Sequence, residues 1–327
     1  MGEIIKKNKD EKKIIANFQP PQQPEIIRET SKKILLGLHA SGKTTFMAAL
    51  WDLLSHDYST TDLFNLINIH LIDTEYLNEI HEYWSEFKEV LHTPYDNRQH
   101  IDLYIQSINS QRQHTLKFLD VSGDIFRTCW AERHWDKSFD KYVQNADGVI
   151  LFINPINQMY PNSINEVYEV YHDIFLGPQG YSFDIDAFFE DMSIPWDVKP
   201  WDADDAPSQV KLIDLLQIVL QKCHPRCRFT IIVSAWDTIQ FNNISPELWV
   251  GRRLPLLMQY LISNFSYGKN FNVFGLSAQG APYNTEPEEE RAKQKLKNLD
   301  SIKRIIVSKA KNKPGTMFDI LKWICNE

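Results

Sequence analysis

Cysteine, net positive charge and long hydrophobic runs are all scarce in this sequence. Four cysteines among 327 residues are too few for a disulfide framework, which fits a reducing compartment. A formal net charge of −8 argues against a general nucleic-acid binder, because phosphate backbones attract positive fields. No apolar run approaches the roughly twenty residues that cross a bilayer, so we expect a globular, cytoplasmic protein.

The first 30 residues differ in composition from the rest of the chain. Lysines cluster in residues 6–13, and a proline- and glutamine-rich stretch follows at residues 20–24. No long apolar core follows the lysines, so they are not a secretory signal. We expect residues 1–30 to form a flexible tail. Its lysines are expected to be solvated, with contact to a membrane surface as the alternative.

Short apolar runs in residues 31–327 predict a buried sheet. The predicted strands are residues 34–36, 101–105, 115–119, 148–153, 229–233 and 271–276. Asn109 and Ser110 open a turn, so the second and third of these strands are expected to form an antiparallel hairpin. Strands that alternate with helices indicate an α/β fold of three layers. Its sheet is mostly parallel, with one antiparallel strand.

Apolar residues at helical spacing predict the helices that cover this sheet. They are expected over residues 46–54, 73–91 and 210–220, and a final helix follows Thr316. Asp319 is placed to act as the carboxylate of a capping box. Two helical insertions are expected, at about residues 156–208 and 282–300. The first carries an acidic stretch that we interpret as a solvated face, with a metal site or a partner surface as alternatives.

Gly37–Thr44 matches the phosphate-loop pattern G-x-x-x-x-G-K-[ST] completely, between a predicted strand and a predicted helix. Backbone N–H groups of such a loop surround a phosphate, and the helix N-terminus adds partial positive charge. Lys43 is expected to bridge the β- and γ-phosphates, and the hydroxyl of Thr44 to bind Mg²⁺. The predicted phosphate-binding residues are His39, Ala40, Ser41, Gly42, Lys43, Thr44 and Thr45.

A second motif, Asp120-Val121-Ser122-Gly123, follows the strand at residues 115–119. A carboxylate at the end of a strand near a phosphate loop can hold Mg²⁺ through a water molecule. The spacing allows the backbone N–H of Gly123 to face the γ-phosphate. These two motifs together predict a site for Mg²⁺ and a nucleoside triphosphate.

With these motifs the chain resembles the translation-factor-related (TRAFAC) class of P-loop GTPases, which includes the small Ras-like switches. The resemblance implies that GTP and GDP are the ligands. In place of the usual base motif N-K-x-D the chain has Ser234-Ala235-Trp236-Asp237, and Ser277-Ala278-Gln279 matches the fifth motif. It implies that Asp237 accepts hydrogen bonds from guanine and that the N–H of Ala278 contacts guanine O6. Trp236 is expected either to cover the base or to lie in the core.

The same resemblance implies a threonine that senses the γ-phosphate and contacts Mg²⁺. Thr93 precedes the strand at residues 101–105 and is the first candidate, with Thr74 and Thr61 as rivals. Where Ras-like enzymes place a water-orienting glutamine, this chain has Asp124, and His39 stands where they carry glycine. We therefore expect slow hydrolysis, with Lys43, Thr93 and Asp124 as the catalytic residues.

The detailed pattern is similar to a prokaryotic group of double-GTPase domains. The similar segments are G-L-x-x-S-G-K-T-T-F from Gly37, A-D-G-V-I-L from Ala146, S-A-W-D from Ser234 and S-A-Q-G from Ser277. The resemblance covers Lys33 to Cys325, although the chain has a single phosphate loop. It implies a role in conflict or antiviral systems, with effector or activating proteins as partners. The alternatives are a P-loop ATPase or kinase, and a nucleotide-bound interaction module without turnover.

Overall fold

The computed structural model describes residues 32–56, 63–88, 99–120, 123–132, 137–161, 202–239, 244–280, 296–297 and 299–327. All of them belong to the unit Ser31–Glu327. The predicted tail and most of both predicted insertions lie outside the described residues.

Within the described residues, nine strands form one sheet. They are β1 (Lys32–Gly37), β2 (Phe64–Leu66), β3 (Gln99–Ser107), β4 (Gln113–Asp120), β5 (Gly148–Ile153), β6 (Arg228–Val233), β7 (Phe271–Ser277), β8 (Ile306–Lys309) and β9 (Lys313–Gly315). Their order across the sheet is β2-β3-β4-β1-β5-β6-β7-β8-β9.

The centre of the sheet is parallel and its two flanks are antiparallel. Strands β4, β1, β5, β6 and β7 run in the same direction. On one flank β3 runs against β4 and β2, as the predicted hairpin requires, and on the other β8 runs against β7 and β9. The predicted mostly parallel α/β sheet is confirmed, but two of the described strands run in the opposite direction where one was expected. The second of these two strands, β8, is too short to show a clear alternation of apolar and polar residues.

The described helices cover both faces of the sheet. They are α1 (Lys43–Ser55), α2 (Thr74–Ser85), α3 (Gly123–Glu132), α4 (Lys137–Val143), α5 (Ser208–Lys222), α6 (Pro246–Arg253), α7 (Pro255–Asn264), α8 (Ser301–Arg304) and α9 (Met317–Cys325). Among these helices, none combines the length and the apolar character needed to cross a membrane.

Alternate residues of the central strands enter two separate cores, as expected for a sheet covered on both faces. Leu35 of β1 belongs to the core under α1, α2 and α9. Ile34 and Leu36 belong to the opposite core, under α4, α5, α6 and α7. The sheet with helices on both sides is the predicted three-layer arrangement.

The predicted helix over residues 73–91 is shorter in the structure, where α2 ends at Ser85. Phe87 has φ of 59°, which is left-handed backbone that cannot continue a right-handed helix. Phe87 is still buried, so its place in the apolar pattern reflects packing rather than helical geometry. The capping box at Thr316 and Asp319 is confirmed, because each side chain accepts the other's backbone N–H.

Candidate nucleotide-binding site

The carboxyl ends of the parallel strands meet at one edge of the sheet, and the predicted motifs follow those ends. Strand β1 ends at Gly37, β4 at Asp120 and β7 at Ser277, while Ser234 comes directly after β6. Ligands of open α/β sheets bind at this edge. The fold therefore brings together motifs that are far apart in the sequence.

The backbone of the phosphate loop adopts left-handed conformations at two places. Ala40 has φ of 52° and Gly42 has φ of 92°. Alternation of left- and right-handed residues turns successive N–H groups toward one concave face, which suits an anion. A non-glycine residue in this conformation stores about 1 kcal/mol or more of strain, a cost that is typical of binding sites.

Lys43 is 7% exposed, and its ammonium group lies within this loop. Its Nζ donates hydrogen bonds to the carbonyl oxygens of Gly37, at 3.0 Å, and Leu38, at 3.2 Å. It also lies 3.3 Å from Oγ of Ser41. These contacts place the ammonium group of Lys43 inside the phosphate loop.

Helix α1 presents its N-terminus directly behind the loop. Its cap residue is Gly42, which makes no side-chain capping bond, and the first turn carries no acidic residue. The terminus therefore keeps the partial positive charge that favours an anion. Thr44, in the first turn of α1, is half-buried and supplies a hydroxyl, the kind of neutral oxygen ligand that Mg²⁺ accepts.

The Asp120 motif lies beside this loop. Strands β1 and β4 are parallel neighbours, with Lys33 paired to Leu116. Four residues further along each strand, Gly37 and Asp120 end at the same edge. Gly123 is the first residue of α3 and Asp124 the second. The backbone of Asp120 thus lies at the edge of the sheet where the phosphate loop begins. The side chains of Asp120 and Asp124 lie outside the described part of the structure.

Ser234 and Asp237 form the next part of the edge. Ser234 is buried, and its N–H donates to the carbonyl oxygen of Ile153 at 2.9 Å. Asp237 is half-buried in a 3₁₀ turn, Trp236–Thr238. Within the described residues, its carboxylate makes no hydrogen bond or ion pair. It is therefore an available acceptor, as recognition of a base requires.

Trp236 does not cover a base. Its side chain is fully buried and belongs to the core beneath α6 and α7. The ring lies against Gly275 of β7, where a Cβ would collide with it. The alternative interpretation, a core tryptophan, is the correct one, because burial of the large indole outweighs leaving one of its faces exposed. Its buried ring supports the turn that carries Asp237.

The third part of the edge is the loop after β7. Ser277, Ala278 and Gln279 are all buried, and Oγ of Ser277 accepts the N–H of Gly280 at 3.0 Å. The indole Nε1 of Trp84, in α2, donates to the carbonyl oxygen of Ala278 at 3.0 Å. This loop is therefore held by a hydrogen bond within its own turn and by a hydrogen bond from Trp84 of α2.

A model of the Double-GTPase 1 family matches residues 34–323 of the chain. The chain belongs to this family. As a member of the Double-GTPase 1 family it is a GTP-binding P-loop protein, and the resemblance predicted from its motifs is confirmed.

Solved structures similar to this family member include an elongation factor and a GTPase-like domain. One is a bacterial selenocysteine-specific elongation factor, EF-Sec, at 11% identity and a TM-score of 0.29, over 83% of this chain and 29% of that one. Another is the Ski7 GTPase-like domain of S. cerevisiae bound to GTP, at 11% identity and a TM-score of 0.33. The match covers 83% of this chain and 51% of that one. The chain thus spans about half, or less, of the length of these two proteins. No curated protein matches significantly.

One contact of this Double-GTPase 1 site was not predicted. Nδ2 of Asn154, the residue after β5, donates to the carbonyl oxygen of Ala40 at 2.9 Å. The signal was available, because Asn154 is a polar residue at the end of a buried strand, like Asp120 and Ser234. Thr93 and Thr61 lie outside the described residues, and Thr74 begins α2.

Proposed function

We propose that this Double-GTPase 1 protein is a Mg²⁺-dependent switch that binds GTP and hydrolyses it slowly. The observation that supports the proposal best is the phosphate loop itself. Left-handed backbone at Ala40 and Gly42, the buried ammonium of Lys43 and the N-terminus of α1 lie together. All of them favour a polyphosphate.

The base would bind between the loops after β6 and β7. Asp237 would accept hydrogen bonds from the N1 and amino groups of guanine, and the N–H of Ala278 would donate to O6. The available carboxylate of Asp237 and the anchored loop at Ala278 support this assignment. Adenine lacks the O6 acceptor, the proton on N1 and the 2-amino group of guanine, so GTP should bind more tightly than ATP.

Mg²⁺ would be held by Thr44, by Asp120 through a water molecule and, with triphosphate bound, by Thr93. When bound, the ion neutralises charge that develops on the phosphates during hydrolysis. Because Thr93 would reach the site only in the triphosphate state, its segment would change on hydrolysis. Partner proteins of a prokaryotic conflict system would recognise that conformational change. An arginine from a partner would accelerate the hydrolysis of GTP.

Calorimetry with GTP, GDP and ATP, with and without Mg²⁺, tests the binding. Lys43→Ala should lower the affinity for GTP about 100-fold, because charge-assisted hydrogen bonds to the phosphates are lost. Lys117→Ala is the matched control. Lys117 lies on β4 and pairs with Asp102 at 3.1 Å, so its loss should leave GTP affinity unchanged.

Turnover is tested by phosphate release under the same conditions. We expect slow release by the wild type and none by Lys43→Ala. If the wild type binds GTP but releases phosphate no faster than Lys43→Ala, the result would favour an interaction module without turnover. Tighter binding of ATP than of GTP would favour an ATPase or kinase. Well-folded protein that binds neither nucleotide would refute the proposal.

A further inference from the structure

Helix α2 lies against the proposed base site although none of its residues belongs to a nucleotide motif. It packs on α1, where Nε1 of Trp51 donates to Oδ1 of Asn78 at 2.9 Å. His81 contacts the buried carboxylate of Asp52 at 2.8 Å. These two contacts fix α2 to the helix that begins at the phosphate loop.

The end of α2 makes a reciprocal pair of hydrogen bonds with the base loop. The fully buried Trp84 donates from Nε1 to the carbonyl oxygen of Ala278 at 3.0 Å. In return, Nε2 of Gln279 donates to the backbone carbonyl oxygen of Trp84 at 3.1 Å. Two consecutive loop residues are therefore bonded to one residue of α2, Ala278 through its backbone carbonyl and Gln279 through its side-chain amide, which restrains the backbone of the loop.

Arg304 also contacts Trp84. Its guanidinium carbon lies 3.7 Å from the centroid of the Trp84 ring and 4.7 Å from that of Phe87. Its Nη2 also donates to the carbonyl oxygen of Trp84 at 3.4 Å. A cation stacked on an indole at the end of a helix is favoured both by the ring and by the helix dipole. Arg304 thereby holds Trp84 in the orientation that reaches Ala278.

We infer that Trp84 and Arg304 are positioning residues for base recognition, which fix the Ala278–Gln279 loop so that its backbone N–H discriminates the oxo group at position 6 of guanine. This inference rests on the proposed function. Backbone donors discriminate bases only when their direction is held, because a mobile loop would lose the hydrogen bond or replace it with water.

The test compares GTP with 2-aminopurine riboside triphosphate, which keeps the 2-amino group but lacks O6 and, with it, the proton on N1. In the full-length wild type, GTP should bind more tightly. Trp84→Phe keeps an aromatic ring and removes only the N–H donor and part of the indole. It should weaken GTP binding about fivefold, the effect of one lost hydrogen bond, while affinity for the analogue stays the same. The discrimination between the two nucleotides should shrink by that factor.

Trp51→Phe is the matched control. It makes the same substitution at a buried tryptophan of the same helix pair, but its indole bonds to Asn78 rather than to the base loop. It should leave the discrimination unchanged, even if it lowers the melting temperature as much as Trp84→Phe does. Arg304→Met, which removes the stacked cation, should also reduce discrimination.

The outcomes separate the two proposals. A wild type that binds no GTP overturns the proposed function. A wild type that binds GTP and the analogue equally overturns the assignment of Asp237 and Ala278 to the base. A Trp84→Phe variant that loses affinity for both nucleotides to the same extent overturns only the positioning role. If Trp84→Phe does not fold, Gln279→Leu removes the reciprocal bond to Trp84, and unchanged discrimination in that variant refutes the inference.

Discussion

The phosphate end and the base end of the site are built in different ways. At the phosphate end, one continuous segment, Gly37–Thr45, supplies the loop, the ammonium and the start of α1. At the base end, two loops after different strands come together. Trp236 supports one from the core, and Trp84 supports the other from α2.

This difference explains why one end follows its motif and the other departs from it. The local geometry of a phosphate loop depends on a few neighbouring residues, so its sequence is tightly constrained. The base end depends on long-range packing, in which different side chains can hold the same backbone. Substitutions at each end should therefore have distinguishable effects.

The largest effect is expected at the base end from Asp237→Ala. Loss of two hydrogen bonds to a charged acceptor should lower affinity for GTP about 100-fold, while affinity for ATP stays unchanged. Fluorescent-nucleotide titration measures both. Asp300→Ala is the control, because Asp300 is an exposed carboxylate that pairs with Lys303. An equal loss for GTP and ATP would show that Asp237 only supports the fold.

At the phosphate end, Gly42→Ala should weaken GTP binding about 20-fold. The new Cβ would lie 2.9 Å from Cβ of Ser234 and would be strained at φ of +92°, so the loop must shift. Gly268→Ala is the matched control, because Gly268 has φ of +74° and no atom within 4 Å of its added Cβ. Calorimetry should show similar losses for GTP and ATP. A loss of affinity for GTP alone would contradict the assignment of Gly42 to the phosphate end of the site.

A smaller effect is expected from Asn154→Ala, which removes the hydrogen bond to the carbonyl oxygen of Ala40. Affinity for GTP and ATP should fall together by about threefold, because a half-exposed neutral hydrogen bond is lost. Asn264→Ala removes a comparable bond, from Nδ2 to the carbonyl oxygen of Tyr260, on a helix away from the site. It should leave titrations of both nucleotides unchanged. An unchanged affinity in Asn154→Ala would refute the role of Asn154.

The smallest effect on binding is expected from Thr316→Ala at α9. Loss of the capping box should lower the free energy of unfolding by about 1 kcal/mol without changing nucleotide affinity, as denaturant titration can measure. Burial alone would raise the pKa of Asp319, but hydrogen bonds from the N–H of Thr316 and from Lys309 hold it below its ordinary value of 3.8. The carboxylate of Asp319 therefore makes its full contribution to the free energy of unfolding above about pH 4, and this contribution is lost as the pH falls further. A change in GTP affinity would contradict the separation of α9 from the site.

Much of the fold was predictable where a pattern is local. The runs at residues 34–36 and 148–153, the phosphate loop and the cap at Thr316 all lie where the sequence indicates. Helices α6 and α7 were not predicted, although each begins with a proline in its first turn, which is a recognised start signal. The short strands β2, β8 and β9 carry too few residues to show any period.

The parts of the site that were not predicted are those that depend on distant residues. The sequence shows that Trp236 is next to Asp237. Only the structure shows that its indole is buried, because the ring packs against Gly275, which has no side chain. Likewise, nothing near Ala278 in the sequence indicates Trp84 or Arg304. Such contacts are set by how helices pack on a sheet rather than by spacing along the chain.

The phosphate loop and the residue that starts the base turn come so close that position 42 has no room for a side chain. A single added carbon on Gly42 would press against Ser234. The absence of a side chain at this one glycine therefore allows the phosphate end and the base end of the site to share a wall.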